Sequence, residues 1–128
     1  MLELCSFDYA VIRFVPRVER EEFINVGVIL SCPAQKFLEA RVEFDDGRLK
    51  AFAPFSEAET IESYLDPIRK ICAGEKDAGA IGRLPQRARF YWLTAQRSTI
   101  VQCSPVHTGF CADAAAMLER LVDKTVRL

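Results

Sequence analysis

The chain contains one histidine, His107, in the run Ser104-Pro105-Val106-His107-Thr108-Gly109, and just upstream lies Arg97-Ser98-Thr99. Imidazole in a polar loop is suited to general-base work near neutral pH, and Ser98 and Thr99 supply hydroxyls for it to activate. A triad would need a carboxylate to orient the ring, and Asp113 is within reach in sequence. Those residues outline a small hydrolase or transferase acting on a phosphate or acyl group, with His107 as base and Ser98, Thr99 or a cysteine as nucleophile. No strand–turn–helix nucleophile elbow accompanies them. Arg97-Ser98-Thr99 also has a second use. A guanidinium fork, two hydroxyls and turn amides suit a phosphate or carboxylate.

Arg13 and Asn25 extend that second possibility. Alternation along residues 7–15 puts Arg13 on one face with Tyr9, Val11 and Val15, held near the sheet. A half-buried guanidinium needs an anion, either a structural carboxylate such as Glu22 or Glu43 or a ligand. Asn25, on a strongly apolar run, needs hydrogen-bond partners of its own. The expected ligand-binding set is therefore Arg13, Asn25, Arg97, Ser98, Thr99, His107 and Thr108. Residues 78–112 lack Asp and Glu but carry Arg83, Arg87, Arg89 and Arg97, which favours an anionic ligand.

Several other chemistries lack their residues. One histidine and scattered acids give no metal-ligand spacing. Five cysteines without a C-x-x-C pair form neither an even disulfide framework nor a zinc site, so they are expected reduced, as small apolar residues. Gly74, Gly79 and Gly82 match no phosphate-cradling loop, and no cofactor is implied. A net charge of −1 is unlike a protein that coats nucleic acid. Arg87-Ala88-Arg89-Phe90-Tyr91-Trp92 does interleave bases and aromatics as single-strand binders do, which keeps that class as an alternative. No apolar run approaches the length of about 20 residues that spans a bilayer, and the N-terminus lacks a signal-peptide pattern. The expectation is a cytoplasmic protein with no membrane partner.

These residues must be positioned by one domain, residues 1–128, of ordinary globular composition. Strands are expected over residues 7–15, 23–31 and 37–45, the second buried on both faces and the third an outer strand with one wet face. Whether a helix or a second copy of the chain covers the second strand stays open. Gly27 marks a bulge or a close backbone approach. Asp46-Gly47 reads as a turn, with a short further strand over residues 49–52. Ser56-Glu57-Ala58-Glu59 reads as a capping box opening a helix with Ile61, Tyr64, Leu65, Ile68, Ile71 and Cys72 on one side. Pro67 either kinks that helix or starts a second one. The aromatic run from Arg89 and the run 99–103 read as a hairpin around residues 95–98. Asp113 caps a last helix. The order β-β-β-α-β-β-α makes an α+β domain: a mostly antiparallel sheet of about five strands with helices packed on one face.

Two segments carry a family resemblance. Tyr9-Ala10-Val11-Ile12-Arg13-Phe14-Val15-Pro16 with Phe23-Ile24-Asn25-Val26-Gly27-Val28 resembles the opening signature of a bacterial family catalogued as domain of unknown function 3037. Arg97-Ser98-Thr99-Ile100-Val101-Gln102 with Ser104-Pro105-Val106-His107-Thr108-Gly109 resembles its C-terminal signature. The family brings no established activity. The resemblance implies a HipA-like protein kinase as a candidate partner. The expectation is thus an accessory or regulatory module, not an enzyme, that holds an anionic group through residues gathered around one pocket.

Overall fold

A computed structural model describes residues 3–127. Its centre is an antiparallel pair, β1 (Cys5–Phe14) and β2 (Ile24–Cys32), with β3 (Phe37–Val42) on the far side of β2. β2 is almost wholly buried, as a continuous apolar run between two covered faces must be. β3 alternates buried and open positions, as an outer strand does. The partner of Ile12 is Gly27 and that of Arg13 is Asn25, so Val26 is an extra residue, a bulge. A Cβ at Gly27 would stand 2.6 Å from the Arg41 carbonyl oxygen and 3.2 Å from Ile12 Cδ1, which explains the glycine. The bulge also shifts the side-chain alternation, letting Ile24, Val26 and Ile29 all join one core.

The expected hairpin over residues 89–103 does not form. Residues 89–94 belong to a helix, α4 (Gln86–Thr94), and the two late strands are β4 (Val101–Cys103) and β5 (His107–Cys111). These do not pair with each other. Both lie antiparallel against the free edge of β1, β4 beside residues 12–14 and β5 beside residues 5–9. Between them Pro105 and Val106 are exposed, while Ser104 stays bonded to β1. Proline cannot donate to the ladder, and here the Ser104 hydroxyl replaces a lost backbone acceptor. Val11 N–H donates to Ser104 Oγ at 2.8 Å, while Ser104 N–H donates to the Val11 carbonyl at 2.8 Å. Ser104 is buried for this reason.

The helices build two cores. α1 (Asp46–Phe52), α2 (Ala58–Ala73) and α4 bury Leu49, Ile61, Leu65, Ile71, Phe90 and Leu93 against Ile12, Phe14, Val26 and Ile29. α5 (Ala114–Thr125) buries Leu118, Leu121 and Val122 against Phe7, Val28 and Leu30. The α+β class and the five-stranded antiparallel sheet are as expected, and one face does take most of the helices. α5 takes the opposite face and supplies the second cover that β2 needs.

Two local expectations change, and the alternative left open at Pro67 is decided. Residues 46–52 are helical, not a turn and strand, because the Asp45 carboxylate accepts from the Arg48 N–H at the first turn. The capping box is not made: α2 starts one residue later, with Glu57 at its N-cap and no side-chain cap. Pro67 lies inside one continuous α2, which Gly74 ends with a φ of +69°. Residues 74–85 include one further short helical turn, α3 (Gly79–Gly82). Asp113 caps α5 as expected, accepting from the Ala116 N–H.

Candidate functional site

Register separates the residues expected to share one pocket. His107 is the cross-strand partner of Tyr9, and their rings lie 5.3 Å apart on the α5 side of the sheet. Ile100 is opposite Val15, whose N–H donates to its carbonyl at 2.6 Å. From position 9 to position 15 a strand covers roughly 20 Å. Arg97, Ser98 and Thr99 lie beyond that point, at the other end of the edge. His107 is therefore far from both candidate hydroxyls. Thr108 Oγ1 donates to the Asp8 carboxylate at 2.7 Å, and Asp113 serves the α5 cap. Among the described residues no nucleophile–base–acid alignment is assembled around the imidazole.

The thiols do not replace the hydroxyls as nucleophiles. Burial pushes the Cys103 thiol up to about 11 and holds Cys111 above its ordinary value as well. Both stay protonated at neutral pH, whereas a reactive cysteine is held as thiolate. Cys103 Sγ donates to the Leu93 carbonyl at 3.5 Å, a packing role.

Arg13 and Asn25 do meet, as cross-strand partners. The Arg13 guanidinium lies 4.1 Å from the centre of the Phe23 ring, a cation–π contact. Neither structural carboxylate expected for it is free. Glu22 pairs with Arg20, and Glu43 takes both arms of Arg127 at 2.5 and 3.1 Å. Among the described residues Arg13 has no ion-pair partner, and its Nε is buried without an acceptor. Asn25 Nδ2 donates to the Thr125 carbonyl at 2.9 Å, which ties β2 to the end of α5, while Oδ1 is buried without a donor. A cavity of about 420 Å³ opens beside Asn25, lined by Glu43, Asp45, Arg48 and Arg127. Arg127 is committed to Glu43 and Glu119, while Arg48 donates to the Val126 carbonyl and has no carboxylate partner among the described residues.

Arg97, Ser98 and Thr99 stay together in a different setting. They form one rim of a cleft of about 610 Å³ whose walls are Tyr64, Pro67, Ile68 and Ile71 of α2, Trp92 of α4, and Ile100 and Val101. The Arg97 guanidinium lies 4.2 Å from the centre of the Trp92 ring and donates one N–H to the Trp92 carbonyl. No carboxylate pairs with it among the described residues. Thr99 Oγ1 donates to the Val101 carbonyl at 2.7 Å, leaving its lone pairs as acceptors. The cleft is an apolar trough with a cation at its mouth.

Tyr64, Ile68 and Trp92 were not in the expected site, and a signal for them was present. The apolar stripe of α2 is wider than one sheet face requires: Ile61 and Leu65 are fully buried, whereas Tyr64 stays 48 % exposed. The surplus lines the cleft. Trp92 turns outward because α4 buries Phe90 and Leu93, three apart on one helical face. The same helix dismantles the aromatic–basic platform. Phe90 is buried, Arg89 donates to the Ile71, Cys72 and Leu84 carbonyls, and Arg87 donates to Tyr91 Oη at 3.1 Å. Arg89 thus satisfies the end of α2, and a phosphate backbone would have to displace it.

No helix among the described residues is long and apolar enough to cross a membrane. No curated protein and no solved structure matches the chain. Residues 9–126 match the family model described as a protein of unknown function, DUF3037, a span that takes in both signature segments, the sheet apart from the first four residues of β1, the cleft and α5, and the chain belongs to that family.

Proposed function

We propose that this domain is a non-catalytic accessory module that holds an anionic, phosphate-like group at the mouth of the cleft between α2 and α4 and docks on a protein partner. The partner candidate is a HipA-like kinase, supplied by the family resemblance, and the setting is the cytoplasm, in keeping with five unbridged cysteines. The observation that carries the proposal is Arg97. It stands against Trp92 with no carboxylate partner among the described residues, beside two hydroxyls and above an apolar trough.

A cleft of that volume falls in the range of small-ligand sites, roughly 300–1,000 Å³, where an apolar lining supplies contact and a few polar groups fix orientation. The ligand therefore has two parts: an anionic head for Arg97, Ser98 and Thr99, and an apolar or aromatic body for Tyr64, Ile68 and Trp92. A phosphorylated side chain on the partner, or a nucleotide, has that form. Catalysis by His107 finds no support in the geometry, since the imidazole faces Tyr9 at the far end of the edge.

The partner half is tested by mixing the purified domain with a HipA-like kinase from the same organism. Co-elution that is weakened by Arg97→Ala is the expected result. If the two neither co-elute nor alter each other's activity, the kinase is not the partner.

A further inference from the structure

Sequence spacing scatters the five cysteines, but the fold gathers three of them on the α5 side of the sheet. Cys5 opens β1 and Cys111 closes β5, and the two are direct cross-strand partners. Cys32 ends β2, and all three pack in the core beneath α5. Paired positions on antiparallel strands have Cα atoms about 4.5–5.5 Å apart. A disulfide accepts roughly 4.4–6.8 Å. Phe7, next along the same face, lies over Gly109, where a Cβ would come within 2.8 Å of its ring. That close fit pins β5 to β1 in the register that sets Cys5 against Cys111.

We propose that Cys5 and Cys111 are a peroxide-responsive thiol pair that closes to a disulfide joining the start of β1 to the end of β5. Cys5 is half-buried and Cys111 is buried, which assigns their parts. Cys5 meets the oxidant, hydrogen peroxide. Its thiolate attacks the nearer peroxide oxygen, the O–O bond breaks, and Cys5 becomes a sulfenic acid as hydroxide leaves and is protonated to water. Cys111 Sγ then attacks Cys5 Sγ. The S–S bond forms, the S–O bond breaks, and the departing hydroxide takes up the Cys111 proton as water. Two thiols lose two electrons and the peroxide gains them.

Burial and the neighbouring Cys32 and Cys5 thiols hold Cys111 protonated, so the second step quickens as pH rises. The bond would fasten the edge strand just before Asp113, the cap of α5, and so fix the entry of the helix that covers β2. It lies away from the Arg97 cleft and is independent of what binds there.

Intact-mass measurement of the folded protein after hydrogen peroxide, with free thiols alkylated on denaturation, tests this. The expected product is an intramolecular species that takes up three alkyl groups instead of the five of the reduced chain, with about 2 Da, the two hydrogens lost, missing besides. Digestion with trypsin and chymotrypsin, which cuts after Phe110 and so separates Cys103 from Cys111, should yield a fragment carrying Cys5 joined to one carrying Cys111. The wild-type digest needs no variant to fold. Cys32→Ala should keep the bond, and Cys5→Ala should lose it. Oxygen addition without a cross-link, a bond that survives Cys5→Ala, or covalent dimers in place of the intramolecular species would each overturn the proposal.

Discussion

Two arginines were marked by the same family signatures and ended in opposite circumstances. Arg13 lies on a sheet face, stacked on Phe23, with its Nε shielded and no acceptor near it. Arg97 lies at the mouth of a cleft, stacked on Trp92, with open volume beside it. Both use an aromatic ring as a platform, and neither has a carboxylate among the described residues. The difference is space. An unpaired donor packed against its neighbours is a cost the fold carries, whereas one that borders a trough can act on something else. The unpartnered buried groups lie on the sheet, and the groups proposed to bind an anion lie at the cleft.

If that division is right, changes on the sheet side cost stability and changes in the cleft cost binding. The largest stability effect should come from Ser104→Ala, which leaves the Val11 N–H buried without its acceptor. A loss of about 1–3 kcal/mol is expected in urea unfolding. A loss near zero would mean that the break between β4 and β5 is not held by the hydroxyl. Arg13→Met comes next. It removes a charge and a buried donor while keeping an apolar stem on Phe23, so stability should change by less than about 1 kcal/mol or rise. A loss of several kcal/mol would show that Arg13 has a structural anion and would erase the contrast with Arg97.

The smallest effect is confined to acid. The Arg127 guanidinium holds the Glu43 carboxyl below its ordinary value of 4.5. A carboxyl with a depressed folded pKa stabilises the fold above its unfolded value and loses that contribution as pH falls through the folded one. Glu43→Gln should therefore flatten the fall in stability below about pH 4.5 and leave the neutral region of the curve with the same slope. An unchanged acid limb would remove the pair as a cause.

The first three strands were legible because alternation and burial agree there, whereas His107 to Gly109, read as a polar loop, belong to β5. Gly27 was legible as a bulge or a close backbone approach: it makes the close approach, and the extra residue is Val26 beside it. The run from Phe90 to Leu93 misled because a short aromatic stretch fits period 2 and period 3.6 equally. The choice of helix is tertiary: Phe90 and Leu93 share one buried face, and Arg89 reaches back to the open carbonyls of α2. The polar cluster Arg97-Ser98-Thr99 could be read as a unit from neighbouring positions. Its distance from His107 could not, since it depends on β4 and β5 lying end to end along one strand instead of folding into a hairpin.

Trp92 is the only tryptophan of the chain and forms a wall of the cleft, so its fluorescence reports directly on what enters. The most direct measurement titrates that emission with inorganic phosphate and with phenyl phosphate in the wild type, Arg97→Ala and His107→Ala. A saturable change is expected, with phenyl phosphate binding about tenfold more tightly because its ring is buried as well. Arg97→Ala should lose the response and His107→Ala should keep it. The opposite pattern, a response that survives Arg97→Ala and vanishes in His107→Ala, would contradict the assignment of the cleft as the binding site.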